Sequence, residues 1–105
     1  MITNHKTFLL LFFLIINPNI EDGKKIFFSN CNVCHINGKN IIIPEKNLYQ
    51  ETLKNNGLNN IQAISYEILN GKNGMPAFGG RLTEKEINNV ANYVLIESLS
   101  NFKNN

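Results

Sequence analysis

The two cysteines of this 105-residue chain lie three positions apart and are followed at once by a histidine, in the run Cys31-Asn32-Val33-Cys34-His35. On a helix, positions i, i+3 and i+4 share one face, so both thiols and the imidazole can point at one flat object. Cysteines this close cannot cross-link distant parts of a fold. Because so short a chain buries too little apolar surface to be comfortably stable by packing alone, we expect a bound cofactor to complete the core.

The run from Cys31 to His35 has the Cys-x-x-Cys-His pattern of covalent haem attachment. We predict one haem c per chain, held by thioethers at Cys31 and Cys34, with His35 as a ligand of its iron. Three other uses of these residues compete. A structural zinc site needs four ligands, and outside the leader described below the chain offers two Cys and one His of the usual soft type. A thioredoxin-like pair expects a βαβ setting, and a local disulfide leaves His35 without a role.

The second axial ligand is predicted to be Met75, the only methionine apart from the initiator Met1. A lone methionine usually fills a gap in a core. Met75, however, lies outside any apolar helical stripe, in a glycine-rich loop that can approach a planar ring closely, and Pro76 stiffens its backbone. His plus Met is the ligand set of electron-carrying cytochromes c. With both axial positions held by protein, the iron has no open site, so we expect an electron carrier without catalytic residues and not an enzyme.

Helical periodicity dominates the rest of the chain, and the predicted class is all-α with about four short helices. A first helix is expected from Glu21 to about His35, and a short one over Leu48–Lys54. A third should start at Asn60 as N-cap and end at Gly71 as C-cap. The run Gly71–Leu82 has too many glycines for a regular element, so we predict a loop there. Thr83-x-x-Glu86 is a capping box for a last helix that runs to about Ser98.

Residues 1–19 have the anatomy of a signal peptide: a positive charge at Lys6, an unbroken apolar run over Phe8–Ile16, and then Asn17-Pro18. A spanning helix needs roughly 20 apolar residues, so a permanent membrane anchor is disfavoured. A buried helix is disfavoured too, because the run has no polar face. No Ala-x-Ala-like site follows, and we place the mature domain at 20–105. The net charge of +2 gives no electrostatic case for binding nucleic acid.

With these residues in view, the chain resembles the cytochromes c6, carriers of algal and cyanobacterial photosynthesis within the class I cytochromes c. The resemblance runs from about Glu21 to Ser98. Cys31–His35 alone indicates only c-type haem, whereas the runs Asn70–Asn73, Met75–Leu82 and Ala91–Leu95 are far more specific. The resemblance implies the class I cytochrome c fold, with four helices around one covalently bound haem. It further implies that the first and last helices cross near Gly23, Phe27 and Tyr93, and that the carbonyl of Pro44 orients the imidazole of His35.

The resemblance also implies a function and partners. It implies that a monomer accepts an electron from cytochrome f of the cytochrome b6-f complex and delivers it to photosystem I in the thylakoid lumen. Arg81 matches an arginine associated in this family with docking or electron transfer at the reaction centre, although an ordinary solvated arginine is the competing interpretation. A basic face for docking is a further expectation, and the competing interpretation is that the same lysines are scattered over a solvated surface. The candidates are Lys24, Lys25, Lys39, Lys46 and Lys72.

Origin and alternatives stay open at this point. The frequent Asn, Ile and Lys are encoded by A/T-rich codons, and no transit peptide is recognised in front of the leader. We therefore favour a plastid gene and the thylakoid lumen of a plastid. The alternative is a bacterial protein in the thylakoid lumen or periplasm. The alternative function is a respiratory carrier of the same fold that feeds a terminal oxidase. A haem enzyme or ligand sensor with Met75 displaced, and a thiol or metal protein without haem, are further classes.

Overall fold

Five α-helical segments and the loops between them form the fold of residues 19–103, the part of the chain that this computed structural model describes. Short 3-10 turns lie at Ile36–Gly38 and Pro44–Lys46. The extended pairings in this part of the chain are isolated bridges within the loop after α4, so the all-α prediction is confirmed. The helices are α1 at 19–30, α2 at Asn32–His35, α3 at Gln50–Asn55, α4 at Ile61–Asn70 and α5 at Glu84–Ser98.

The predicted leader, residues 1–19, lies outside the described residues except for Asn19. Its cleavage site and the domain boundary at residue 20 therefore stay predictions. Within residues 19–103, no helix combines the length and the apolar character needed to cross a membrane.

The predicted first helix is broken near its end, which corrects the expectation of one helix from Glu21 to His35. Residues 19–30 are helical, Cys31 is a turn, and helical geometry resumes at Asn32. The side-chain amide of Asn30 donates to the carbonyl of Ile26, 3.0 Å away. Asn side chains compete in this way with backbone hydrogen bonds, which accounts for the end of α1 at this residue. The break leaves both thiols and the imidazole on a separate short segment, α2 and its leading turn.

The ends of α4 and α5 are set by the residues that the sequence indicates. Asn60 Oδ1 accepts from the amide of Ala63 at 2.8 Å, and Gly71 ends α4 with a φ of 72°. Thr83 and Glu86 form the complete capping box, with hydrogen bonds of 2.8 and 3.1 Å in the two directions. Both helices therefore begin where local side-chain chemistry satisfies otherwise unpaired amides.

The crossing of α1 and α5 brings Gly23 against the backbone of Asn89 and the side chain of Tyr93. One turn further along α1, the Phe27 ring lies 5.3 Å from the Tyr93 ring between centroids. Phe27 and Tyr93 are almost fully buried. The crossing near Gly23, Phe27 and Tyr93 is thus confirmed.

Replacing Gly23 with alanine is expected to destabilise the fold by about 1–3 kcal/mol, the usual cost of forcing extra atoms into a packed contact. The added Cβ would overlap the Asn89 carbonyl oxygen, which is backbone of α5 and cannot rotate away. Chemical denaturation of the mature protein measures the effect. Ser29→Ala, an exposed change on the same helix, is the control. Equal stabilities of the two variants would show that the helices do not meet at Gly23.

The core lies between α4, α5 and the inner face of α1, and it is completed by residues from loops. Ile64 and Ile68 of α4 pack with Val90 and Val94 of α5 in one apolar cluster. Phe78, from the loop between these helices, is buried in the same cluster. The cluster does not close on itself but borders a cavity, which holds the predicted site residues.

Candidate haem-binding site

A cavity of about 290 Å³ contains all four residues that the sequence predicts as haem ligands. Cys31, Cys34 and His35 reach it from α2 and its leading turn, and Met75 reaches it from the loop between α4 and α5. Thirty-nine residues lie between His35 and Met75 along the chain. The fold therefore brings together the two parts of the sequence that were predicted separately to ligate one iron.

Apolar side chains from four parts of the chain form most of the remaining wall. Cofactor sites are typically lined in this way, with a few polar groups that fix orientation. The volume lies near the lower end of the roughly 300–1,000 Å³ range of small-molecule and cofactor sites. Two unpaired thiols beside an imidazole, a thioether and a mainly apolar wall fit the chemistry of a covalently held porphyrin. Six of these apolar residues are Leu48, Leu53, Leu58, Ile64, Ile68 and Val94.

The thiols of Cys31 and Cys34 are not joined in a disulfide. Burial raises the pKa of the Cys31 thiol to about 11, and the neighbouring Cys34 acts in the same direction. Redox-active Cys-x-x-Cys pairs have a lowered pKa because the thiolate is the nucleophile. The raised pKa of Cys31 therefore disfavours the thioredoxin-like alternative. Among residues 19–103, no three His, Cys, Asp or Glu side chains converge to hold a metal ion by themselves, so a structural zinc site gains no support.

The imidazole of His35 is oriented by the carbonyl of Lys39, 2.9 Å from Nδ1. This corrects the implied role of Pro44, whose carbonyl instead accepts from the side-chain amide of Asn47. A carbonyl can only accept, so Nδ1 carries the proton and Nε2 of the neutral ring has the free lone pair. Burial lowers the pKa of His35, partly offset by the Lys39 hydrogen bond. The ring is thus held as a neutral imidazole, the form that ligates metals.

Met75 ends a tight turn that starts at Lys72. The two residues exchange backbone hydrogen bonds of 3.1 and 2.9 Å. The central residues Asn73 and Gly74 both have positive φ, 45° and 58°, as type I′ turns require. The Asn-Gly pair is the usual sequence signal of such a turn, so this part of the predicted irregular loop is in fact regular. A defined turn therefore places Met75 at the cavity.

Charged side chains lie close to the cavity. The guanidinium of Arg81 sits over the ring of Phe78, 4.6 Å from its centroid, and Phe78 itself lines the cavity. Of the five candidate docking lysines, Lys46 and Lys72 line the cavity while being exposed. A cation held over an aromatic face in this way has a restricted position. Arg81 is exposed, and this contact places its charge beside the wall of the site.

Several residues of the site could not be recognised from the sequence alone. Leu53 and Leu58 come from weakly patterned segments, and their burial depends on how α3 packs. The backbone carbonyl of Lys39 cannot be recognised from the sequence, because every residue has the same backbone carbonyl whatever its side chain is. The residues Asn37 and Gly38, both in left-handed conformation, turn the chain back towards His35. A glycine at this position is the local feature of the sequence that suggests such a turn.

The all-α frame and the cavity place the chain among the class I c-type cytochromes, proteins that carry covalently attached haem. The family profile described as "Cytochrome C oxidase, cbb3-type, subunit III" matches residues 18–94. Cytochrome c6 of Bumilleriopsis filiformis is 54% identical over 80 residues, covering 76% of this chain and 93% of that protein. Cytochrome c6 of a Synechococcus strain is 50% identical over 84 residues, covering 80% of this chain and 75% of that protein.

Among solved structures, cytochrome c6 of the diatom Phaeodactylum tricornutum superposes with a TM-score of 0.76 at 44% identity, covering 78% of this chain and 97% of that one. The chain belongs to the cytochrome c6 family. It is accordingly an electron-transfer haem protein and not an enzyme.

Proposed function

We propose that this protein carries single electrons from cytochrome f of the cytochrome b6-f complex to photosystem I in the thylakoid lumen. The proposed carrier is one haem c, attached through Cys31 and Cys34 and ligated by His35 and Met75. The observation that carries the ligand assignment is the meeting of these four side chains in one apolar cavity. Bound there, the group supplies a reversible one-electron couple.

The residues of the chain suit that couple in three ways. The neutral imidazole of His35 and the thioether of Met75 would both hold the iron, so that no position would remain for oxygen or a substrate. Thioether ligation favours the reduced iron and raises the reduction potential. The apolar side chains that form most of the wall would limit the contact of water with the bound group, which acts in the same direction. We therefore expect an electron carrier with a high reduction potential that does not react with oxygen or a substrate at its iron.

Membership in the cytochrome c6 family supports the partners, together with the charges beside the cavity. Transient redox encounters use small interfaces and depend on electrostatic steering. Arg81 over the Phe78 ring, together with Lys46 and Lys72 at the cavity, offers positive charge close to the site from which an electron would leave. Acidic surfaces on the partners would be recognised by this chemistry.

The test is flash-induced reduction of purified photosystem I by the haem-loaded protein. We expect fast, salt-dependent reduction that Arg81→Gln slows by roughly fivefold at low salt, the effect of about 1 kcal/mol for one unit charge pair at 4 Å in water. Lys103→Gln removes the same charge from an exposed residue that is not among the candidate docking residues and does not line the cavity, and should change the rate less. Equal effects of the two variants would remove Arg81 from the docking surface.

A respiratory carrier that feeds a terminal oxidase is the second candidate, favoured by the oxidase subunit named in the matching family description. The same preparation distinguishes the two functions. Reduction of a purified terminal oxidase with no reduction of photosystem I would replace the proposed function by this one.

A further inference from the structure

The part of the chain that the structure describes ends, just after α5, in a turn with an unusual backbone. Asn101 and Phe102 both have positive φ, 54° and 63°. For a bulky residue such as Phe this conformation is a genuine outlier, which persists only where surrounding contacts determine it. The amide of Phe102 donates to the carbonyl of Glu97 at 2.8 Å, and the side chain is almost fully buried. The strained turn therefore serves to place this ring.

The Phe102 ring packs between the helix crossing and the loop that follows α2. Its centroid is 5.8 Å from that of Phe27 and 6.4 Å from that of Tyr93. On its other side it touches Gly38 so closely that a Cβ built on this glycine would lie 2.5 Å from Phe102 Cδ1. Gly38 has a φ of 80°. The ring thus abuts backbone, which cannot rotate away as a side chain would.

Gly38 lies between His35 and the carbonyl that orients it. The chain reverses at Asn37 and Gly38, and the next residue, Lys39, presents its carbonyl to His35 Nδ1 at 2.9 Å. The carbonyl of Gly38 accepts from the amide of Leu48 at 2.7 Å, which anchors the loop on one side. The Phe102 ring supports it on the other. A displacement of Gly38 would therefore move the Lys39 carbonyl.

The same turn also holds α3. Asn101 Oδ1 accepts from the amide of Gln50 at 2.9 Å, across 51 residues of chain. Tyr49, at the N-cap position of α3, makes no capping hydrogen bond with its own side chain. Asn101 therefore supplies a cap from a distant part of the chain. Leu53 of α3 lines the cavity. The turn therefore contacts both α3 and the loop at Gly38 that follows α2.

We infer that Phe102 is a positioning residue for the His35 imidazole, acting through Gly38 and the Lys39 carbonyl. The inference rests on the proposed function only in taking His35 as an axial ligand. It assigns a role to a segment that lies beyond Ser98, outside the part of the chain that carries the family resemblance. Partners of a metal-ligating imidazole typically affect metal binding or activity 10–100-fold, roughly, when they are lost.

The experiment compares haem-loaded Phe102→Ala and Phe102→Leu with the parent protein. Leu99→Ala is the control, because Leu99 belongs to the same turn but is 63% exposed. The first readout is the exchange of the His35 Nδ1 proton with solvent, followed by nuclear magnetic resonance of the reduced protein. We expect exchange roughly tenfold faster in Phe102→Ala, the effect of a local opening that becomes about 1.4 kcal/mol easier, with an intermediate rate in Phe102→Leu and no change in Leu99→Ala.

The second readout is the reduction potential, whose direction separates positioning from simple loosening. A hydrogen bond at Nδ1 makes the imidazole a stronger donor, which favours oxidised iron, so losing that bond raises the potential. Loosening that admits water lowers the potential instead. Faster exchange with a raised potential supports the inference.

Unchanged exchange, a lowered potential, or the same response in Leu99→Ala would overturn the inference. If Phe102→Ala fails to fold, Phe102→Leu is judged by the same criteria. Failure of the proposed function is recognised separately, since it would appear in the parent protein as missing covalent haem or missing His35 ligation.

Discussion

Replacing Met75 with alanine is expected to open the sixth position of the iron and to lower the reduction potential by about 0.1 V or more, within the roughly 0.8 V range over which axial ligands set haem potentials. Met75 is the only thioether in the chain besides that of Met1, and its turn presents it at the cavity. Loss of the thioether removes the ligand that favours reduced iron. Optical redox titration measures the potential, and carbon monoxide added to the reduced protein reports the open site.

The matched control is Leu58→Ala, which removes apolar volume from the same cavity wall and leaves the thioether in place. It should not bind carbon monoxide and should keep the parent potential to within a small fraction of the change seen for Met75→Ala. A Met75→Ala protein with the parent spectrum and no carbon monoxide adduct would contradict the assignment of Met75.

Replacing both Cys31 and Cys34 with alanine is expected to abolish covalent attachment and to remove most of the stability of the mature domain. Without the thioethers, the haem would be held in the cavity of about 290 Å³ by non-covalent contacts and axial ligation alone. Wherever it is lost, the apolar side chains of the wall lose their packing partner, and native domains have only about 5–15 kcal/mol of stability to draw on. We expect all haem to be extracted by acidified organic solvent, and a large loss of helical circular dichroism.

Val33→Ala is the control for this prediction, because Val33 lies between the two cysteines and its side chain is 77% exposed. It should keep covalent haem and the helical signal. Haem that stays covalently attached in the double alanine variant would disprove attachment through these thiols.

Local chemistry made much of the fold predictable from the sequence. The caps at Asn60 and Thr83 are side-chain hydrogen bonds to amides a few residues away, so they depend little on the rest of the molecule. The motif at Cys31–His35 and the lone Met75 indicated the site because few other chemical uses suit those residues. Both predictions concern short stretches of chain.

The parts that could not be predicted depend on contacts between distant residues. The Lys39 carbonyl replaces that of Pro44 beside His35 because Asn37 and Gly38 turn the chain earlier than the resemblance implied. Phe102 lies near the end of the chain, and only the packing of its ring on Gly38 reveals a connection to the site. The break at Cys31 likewise depends on a side-chain hydrogen bond of Asn30 that periodicity does not indicate.

The most direct test of the central claim is the visible spectrum of the mature protein, oxidised and reduced, recorded before and after denaturation in alkaline pyridine. We predict haem that stays with the polypeptide after denaturation, and in the oxidised native protein the weak long-wavelength band that reports an iron–methionine bond. Covalent haem without that band would contradict ligation by Met75, and a protein without haem would contradict the proposed function.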